Sequence, residues 1–155
     1  MDKVQIIEYR PDLTEYFKSL NVEWLEKYFY VEDYDNEVLG NPQKYIIDKG
    51  GTIFFALLNN EVVGTCALML ASNGEFELTK MAVTEKAQGG KIGKKLAIAI
   101  IGKAREMKLK KIFLESNSIL VPALTLYEKL GFQFKQKDSG SSVYARANVY
   151  MELEL

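Results

Sequence analysis

The chain has 155 residues, 48% of them hydrophobic and 26% charged, with a net charge of −1. That balance belongs to a globular chain of one domain's length and excludes a disordered or collagen-like polymer. One cysteine and no histidine exclude an internal disulfide and every catalytic triad built on imidazole, leaving acid–base chemistry to carboxylate, tyrosine, lysine, backbone or water.

Cys66 lies in the apolar run Val62 to Leu70 and reads as a small buried hydrophobe. The N-terminus, Met1-Asp2-Lys3-Val4, carries no signal-like apolar segment, and no apolar run approaches the ~18 residues that span a bilayer. The expectation is a single domain over residues 1–155 in the cytoplasm. Charge is unevenly spread. Residues 8–37 hold nine acids and three bases, a net of −6, whereas residues 86–111 hold nine bases and one acid, a net of +8. One region is thereby suited to an anion and the other to a cation.

In chain order, Lys3 to Tyr9 reads as a strand, and Pro11-Asp12 opens a helical stretch. Leu13, Tyr16, Phe17, Leu20, Trp24, Leu25 and Tyr28 recur at helical spacing, with a break expected near Asn21. Residues 33–49 read as short helix or turn punctuated by Asn41-Pro42. Three antiparallel strands follow, Thr52 to Leu58, Glu61 to Ala71 and Glu75 to Val83, joined by hairpin signals at Asn59-Asn60 and Asn73-Gly74. Within the third strand the apolar positions change phase, from Phe76 and Leu78 to Met81 and Val83, which predicts a β-bulge between Leu78 and Met81.

The turn Gln88-Gly89-Gly90-Lys91-Ile92-Gly93 then leads into a helix carrying Ile92, Leu96, Ala99, Ile100, Ala104 and Met107 on one face. Lys111 to Glu115 reads as a strand parallel to Glu75–Val83, because a helix intervenes. Leu120 to Leu130 reads as a helix stopped by Gly131. Phe132 to Gln136 and Val143 to Leu153 complete the strands, across the glycine- and serine-rich loop Asp138 to Ser142.

A glycine turn between a strand and a helix N-terminus is an anion site, since the first helical N–H groups have no intrahelical partner and the dipole favours negative charge. Lys91, Lys94 and Lys95 reinforce it. A nucleoside triphosphate loop fails at Gln88 and Lys95, and a dinucleotide fingerprint fails at Gln88. Coenzyme A remains.

Here the residues resemble the GNAT superfamily of N-acetyltransferases, whose signature is Arg/Gln-x-x-Gly-x-Gly/Ala. Gln88 and Gly93 match its ends, while Lys91 stands where an internal glycine is expected, a residue type that resists positive φ. Glu77 to Val83 resembles the family's strand before this loop, and Asn117 matches a common asparagine. Ala123 to Phe132 matches Ala-x-x-x-Tyr-x-x-x-Gly-Phe in full.

The resemblance implies an α/β (α+β) GNAT fold, a mixed but mostly antiparallel sheet of about seven strands flanked by about four helices. It implies an acyltransferase that takes acetyl-CoA as co-substrate, needs no metal, and acetylates a primary amine by direct attack in a ternary complex. Its alternative is a non-catalytic, CoA-binding or regulatory module of the same fold. By the same resemblance, Tyr127 is the acid that protonates the leaving thiolate, and Glu77 is the base or the carboxylate that positions water. Met81, Ala82 and Val83 pair with the pantetheine arm, and Asn117 bonds its amide. Gln88, Gly89, Gly90, Lys91, Ile92, Gly93 and Lys94 form the pyrophosphate site, and Ala123 joins the cofactor contacts. The acceptor is a small-molecule or peptide amine, with cationic character suggested by the acidic N-terminal helices that would line its site. No nucleic acid or membrane partner is expected, and a homodimer is common in the family.

Overall fold

The computed structural model describes residues 3–89, 91–136 and 144–155. The predicted Asp138–Ser142 loop, Val143 and Gly90 lie outside them. Among the described residues, seven strands form one sheet: β1 (Val4–Glu8), β2 (Thr52–Leu58), β3 (Glu61–Leu70), β4 (Phe76–Val83), β5 (Lys111–Ser116), β6 (Gln133–Phe134) and β7 (Val149–Glu154), in the order β1-β2-β3-β4-β5-β7-β6. Four α-helices accompany them: α1 (Thr14–Tyr28), α2 (Asp33–Gly40), α3 (Ile92–Glu106) and α4 (Val121–Lys129). This is the expected mixed, mostly antiparallel GNAT architecture; β4 and β5 make the parallel pair.

The sheet separates two cores. One holds Leu96, Ala97, Ile100 and Ala104 of α3 and Tyr127 of α4. The other holds Phe17 and Leu25 of α1 with Val38 and Leu39 of α2. The close seat of α3 depends on Gly64 in β3, where an added Cβ would lie 3.2 Å from both Ile92 Cγ2 and Leu96 Cδ1. The Asn59-Asn60 turn forms as expected, both residues having positive φ (51° and 70°).

Several boundaries differ from expectation. α1 runs through Asn21 without a break, because Asn21 Nδ2 donates to the Phe17 carbonyl at 2.9 Å and so satisfies its buried amide within the helix. The last strand starts at Val149 rather than near Val143. Residues 144–148 leave the sheet in a turn, Ala147 N donating to the Tyr144 carbonyl, and send Tyr144 and Arg146 toward α2 instead. β6 is only Gln133–Phe134, shorter than the predicted Phe132–Gln136.

Candidate active site between β4 and β5

β4 and β5 share a single registered pair, Glu77 opposite Phe113. Beyond it no ladder joins them, and the strands part toward their carboxyl ends. A cavity of about 100 Å³ occupies the gap, lined by Leu78, Thr79, Lys80 and Met81 on one side and by Leu114, Glu115, Ser116 and Asn117 on the other. Asn21, Trp24, Leu25 and Phe29 from the N-terminal half close one wall; Ala123 and Tyr127 of α4 close another.

The β4 wall carries the predicted bulge. Thr65 pairs with Ala82 and Ala67 with Thr79, so Lys80 and Met81 both face the single residue Cys66. Neither has a registered partner on β3 or β5. The phase change seen in sequence is real: Phe76, Leu78, Met81 and Val83 all join the core beneath α3. Cys66 is fully buried, and burial pushes its thiol well above the usual range, so it is packing rather than nucleophile.

Tyr127 is 7% exposed and points its hydroxyl at Met81 Sδ, 3.9 Å away. Burial raises its phenol above the ordinary value, which keeps it protonated and able to donate. Glu77 lies on the same cavity wall as the bulge, at the point where the strands part. Glu75, on the same strand in the sequence reading, ion-pairs with Lys111 at 3.3 Å. Asn117 donates from Nδ2 to the Arg146 carbonyl (2.7 Å) and accepts from Ile119 N through Oδ1 (2.9 Å), so it also shapes the turn after β5.

The turn expected to hold an anion lies at the start of α3. Lys91 is its N-cap and has φ 63° and ψ 21°, the left-handed conformation that a glycine would take there at no cost. No side chain caps this helix, and among the described residues its first backbone bond runs from Lys95 N to Lys91 O, with none from the N–H groups of Ile92, Gly93 and Lys94. Gly89 precedes at φ 88°, and Gln88 Nε2 ties the turn to the Val83 carbonyl at 3.2 Å. Lys91, Lys94 and Lys95 stand exposed around this end, while Ile92 is buried in the core. Gly93 sits against Met81, whose Sδ would be 3.5 Å from an added Cβ, so the glycine turn and the bulge are in contact.

One cluster was not foreseen. Lys80, at the bulge, has φ 56° and is 7% exposed. Left-handed backbone in a non-glycine residue costs roughly 1–2 kcal/mol, and burying an ammonium costs several more. The side chain is met by Asp35 Oδ1 and by the Tyr144 hydroxyl, each 2.6 Å from Nζ. Asp35 is 0% exposed and binds the Arg146 guanidinium in two-pronged fashion at 2.7 and 2.9 Å. It also accepts from Glu32 N, as the third residue of the α2 capping box. Glu32 in turn holds Arg146 and the backbone N–H of Ala145.

Burial alone would raise the Asp35 carboxyl, but the bonds from Arg146 and the charge of Lys80 outweigh it and hold it below the usual carboxylate range. Burial draws the Lys80 ammonium below its ordinary value against the pull of Asp35. Two cations and two carboxylates thus neutralise one another beside the cavity. Part of the acidic excess in residues 8–37 is offset by cations from elsewhere in the chain: Lys80 and Arg146 on Asp35 and Glu32, and Lys103 on Glu8.

A sheet opened between parallel central strands, with a bulge and an uncapped helix N-terminus at the gap, defines a class of acyltransferases that grip a coenzyme A thioester. The sequence model of the Acetyltransferase (GNAT) family matches residues 8–132, and the chain belongs to that family. It is similar to the uncharacterized N-acetyltransferase YvbK of Bacillus subtilis, 29% identical over 110 residues that cover 69% of this chain and 71% of the relative. Its fold is that of a GNAT-family acetyltransferase from Staphylococcus aureus, with a TM-score of 0.86 at 23% identity over 98% of this chain and 99% of that one. It also matches the PaiA N-acetyltransferase of Thermoplasma acidophilum, solved in complex with coenzyme A, with a TM-score of 0.73 at 16% identity over 99% of each chain. The protein is an acetyl-CoA-dependent acyltransferase. Among its described residues no helix is long and apolar enough to cross a membrane.

Proposed function

We propose that this enzyme acetylates a primary amine directly, in a ternary complex, inside the gap between β4 and β5. The observation that carries the reading is the meeting of three features at one cavity: the parted strands, the bulge at Lys80-Met81 and the buried Tyr127 hydroxyl facing that bulge. Acetyl-CoA supplies an acetyl group already activated as a thioester.

The chain's own residues then have four tasks. The free N–H groups of Ile92, Gly93 and Lys94, with Lys91, Gln88 and Gly89, hold the pyrophosphate. The open edge of Met81, Ala82 and Val83 pairs with the pantetheine arm as an added strand would, Asn117 uses its second amide hydrogen on that arm, and Ala123 packs beside it. Glu77 takes the proton from the amine nitrogen, directly or through a water, as the new C–N bond forms. Tyr127 gives its proton to the sulfur as the C–S bond breaks.

The acceptor enters along α1, against Trp24, Leu25 and Phe29. Carboxylates of Glu77 and Glu115 line the same cavity and favour a cationic amine, free or on a peptide. The test is Tyr127→Phe. Its CoA release with a panel of amines should fall by about 10²-fold or more, while acetyl-CoA binding, read by thermal shift, stays within a few-fold of wild type. Wild-type release in the variant would remove Tyr127 from the chemistry.

A further inference from the structure

We propose that Lys80 is a positioning residue for the acetyl group: anchored by Asp35 and Tyr144, it fixes the β4 bulge so that the Met81 backbone N–H faces the thioester carbonyl. The inference rests on the acetyl-transfer reading above and adds to it a device that joins both halves of the fold to the reacting centre.

The geometry is specific. In a two-against-one bulge the left-handed residue is ordinarily glycine, and here it is a buried lysine at φ 56°. A side chain held at this residue fixes the peptide plane that follows it, the plane that carries the Met81 N–H. The register gives Met81 no paired residue on either neighbouring strand. The Met81 side chain meanwhile touches the Tyr127 hydroxyl and lies against Gly93 of the anion site.

The anchor itself is rigid. Asp35 accepts from Lys80 Nζ, twice from Arg146 and once from Glu32 N, at 2.6 to 3.0 Å. It is also part of the first turn of α2. Both cations lie against the Tyr144 ring, with Lys80 Nζ 4.3 Å and Arg146 Cζ 4.1 Å from its centroid. The Arg146 carbonyl is bonded in turn by Asn117 of the β5 end. The cluster therefore ties α2 to the bulge and to the far wall of the cavity, where β4 and β5 have no ladder between them.

A merely structural ion cluster would affect stability alone; a positioning lysine also affects turnover and the Met81 amide. The experiment compares Lys80→Met, Lys80→Met/Asp35→Asn and Tyr144→Phe with Val38→Ala, a buried α2 change away from the cavity that serves as the stability control. Three readouts are taken: melting temperature, kcat with acetyl-CoA affinity, and the Met81 amide resonance in the CoA and acetyl-CoA complexes. Lys80→Met should lose at least about tenfold in kcat, as for removal of an oxyanion donor, with acetyl-CoA affinity within about threefold. The double variant, which removes the Lys80–Asp35 pair together and leaves Arg146 paired with Glu32, should stay slow, and Tyr144→Phe should show a smaller loss. The difference in Met81 shift between the CoA and acetyl-CoA complexes should collapse in Lys80→Met and persist in Val38→Ala. Wild-type kcat in folded Lys80→Met or in the double variant, or an unchanged Met81 difference, would overturn the proposal. If wild type itself acetylates no amine, the transfer reading fails, and the Met81 resonance alone decides the role of Lys80.

Discussion

Replacing Asp35 by Asn tests the energetic centre of the cavity wall. The carboxylate is fully buried and compensates two cations that are themselves nearly buried. The substitution keeps the shape, removes the charge and leaves Lys80 and Arg146 facing each other, balanced by Glu32 and by the more distant Glu77. Breaking a buried pair from one side costs about 3–5 kcal/mol. At roughly 2–4 °C per kcal/mol for a chain this size, the melting temperature should fall by about 6–20 °C. The acid limb should change too. A carboxyl whose folded pKa lies below its unfolded value, near 3.9, contributes stability above about pH 4 that is lost as pH falls through the folded value. In Asp35→Asn that part of the acid loss disappears, so the gap between variant and wild type should be widest at pH 7 and should narrow as pH falls below about 4. Urea unfolding at a series of pH values measures both. A loss below about 1 kcal/mol at pH 7, or a penalty independent of pH, would refute the assignment of Asp35 as the keystone carboxylate.

The start of α3 gives two further tests. Lys91→Gly should stabilise the fold by roughly 0.5–1 kcal/mol in thermal melts, because glycine takes the left-handed N-cap conformation without the strain borne by Lys91; destabilisation would mean the turn is not strained. Gly64→Val should destabilise by about 1–3 kcal/mol through overpacking. It should also weaken acetyl-CoA binding in titration calorimetry, since the new side chain pushes on Ile92 and Leu96 at the anion site; unchanged affinity would uncouple that seat from the cofactor. Charge screening offers a simple check on the exposed lysines: acetyl-CoA affinity should decline as salt rises, and salt-independent affinity would argue that Lys91 and Lys94 do not face the phosphates.

Much of this site could be read along the chain because its parts are local. The change of apolar phase between Leu78 and Met81 announces a bulge, the run from Gln88 to Gly93 announces an anion turn, and Ala123 to Phe132 carries its motif within one helix and its stop. Asp35, Lys80, Tyr144 and Arg146 could not be read in this way. Lys80 lies 45 residues from Asp35 and 64 from Tyr144, and no local periodicity links them. The one available signal was a lysine placed at the change of apolar phase between Leu78 and Met81. The same long-range pairing explains the misplaced start of the last strand: Tyr144 and Arg146 have side chains suited to a strand but are drawn to α2 by buried charge. Asn21 was read as a helix breaker because asparagine competes for backbone bonds; here its side chain makes that bond inside the helix.

The central claim is direct transfer from acetyl-CoA to an amine within the β4–β5 gap. The most direct measurement is a single-turnover experiment in which enzyme loaded with acetyl-CoA is mixed with cationic amines, and CoA, acetylated amine and enzyme mass are followed together. The account predicts CoA and N-acetyl product appearing at the same rate and in equal amounts, with the enzyme mass unchanged throughout. CoA released ahead of the product with an acetyl group left on the protein, or no release with any amine, would contradict it.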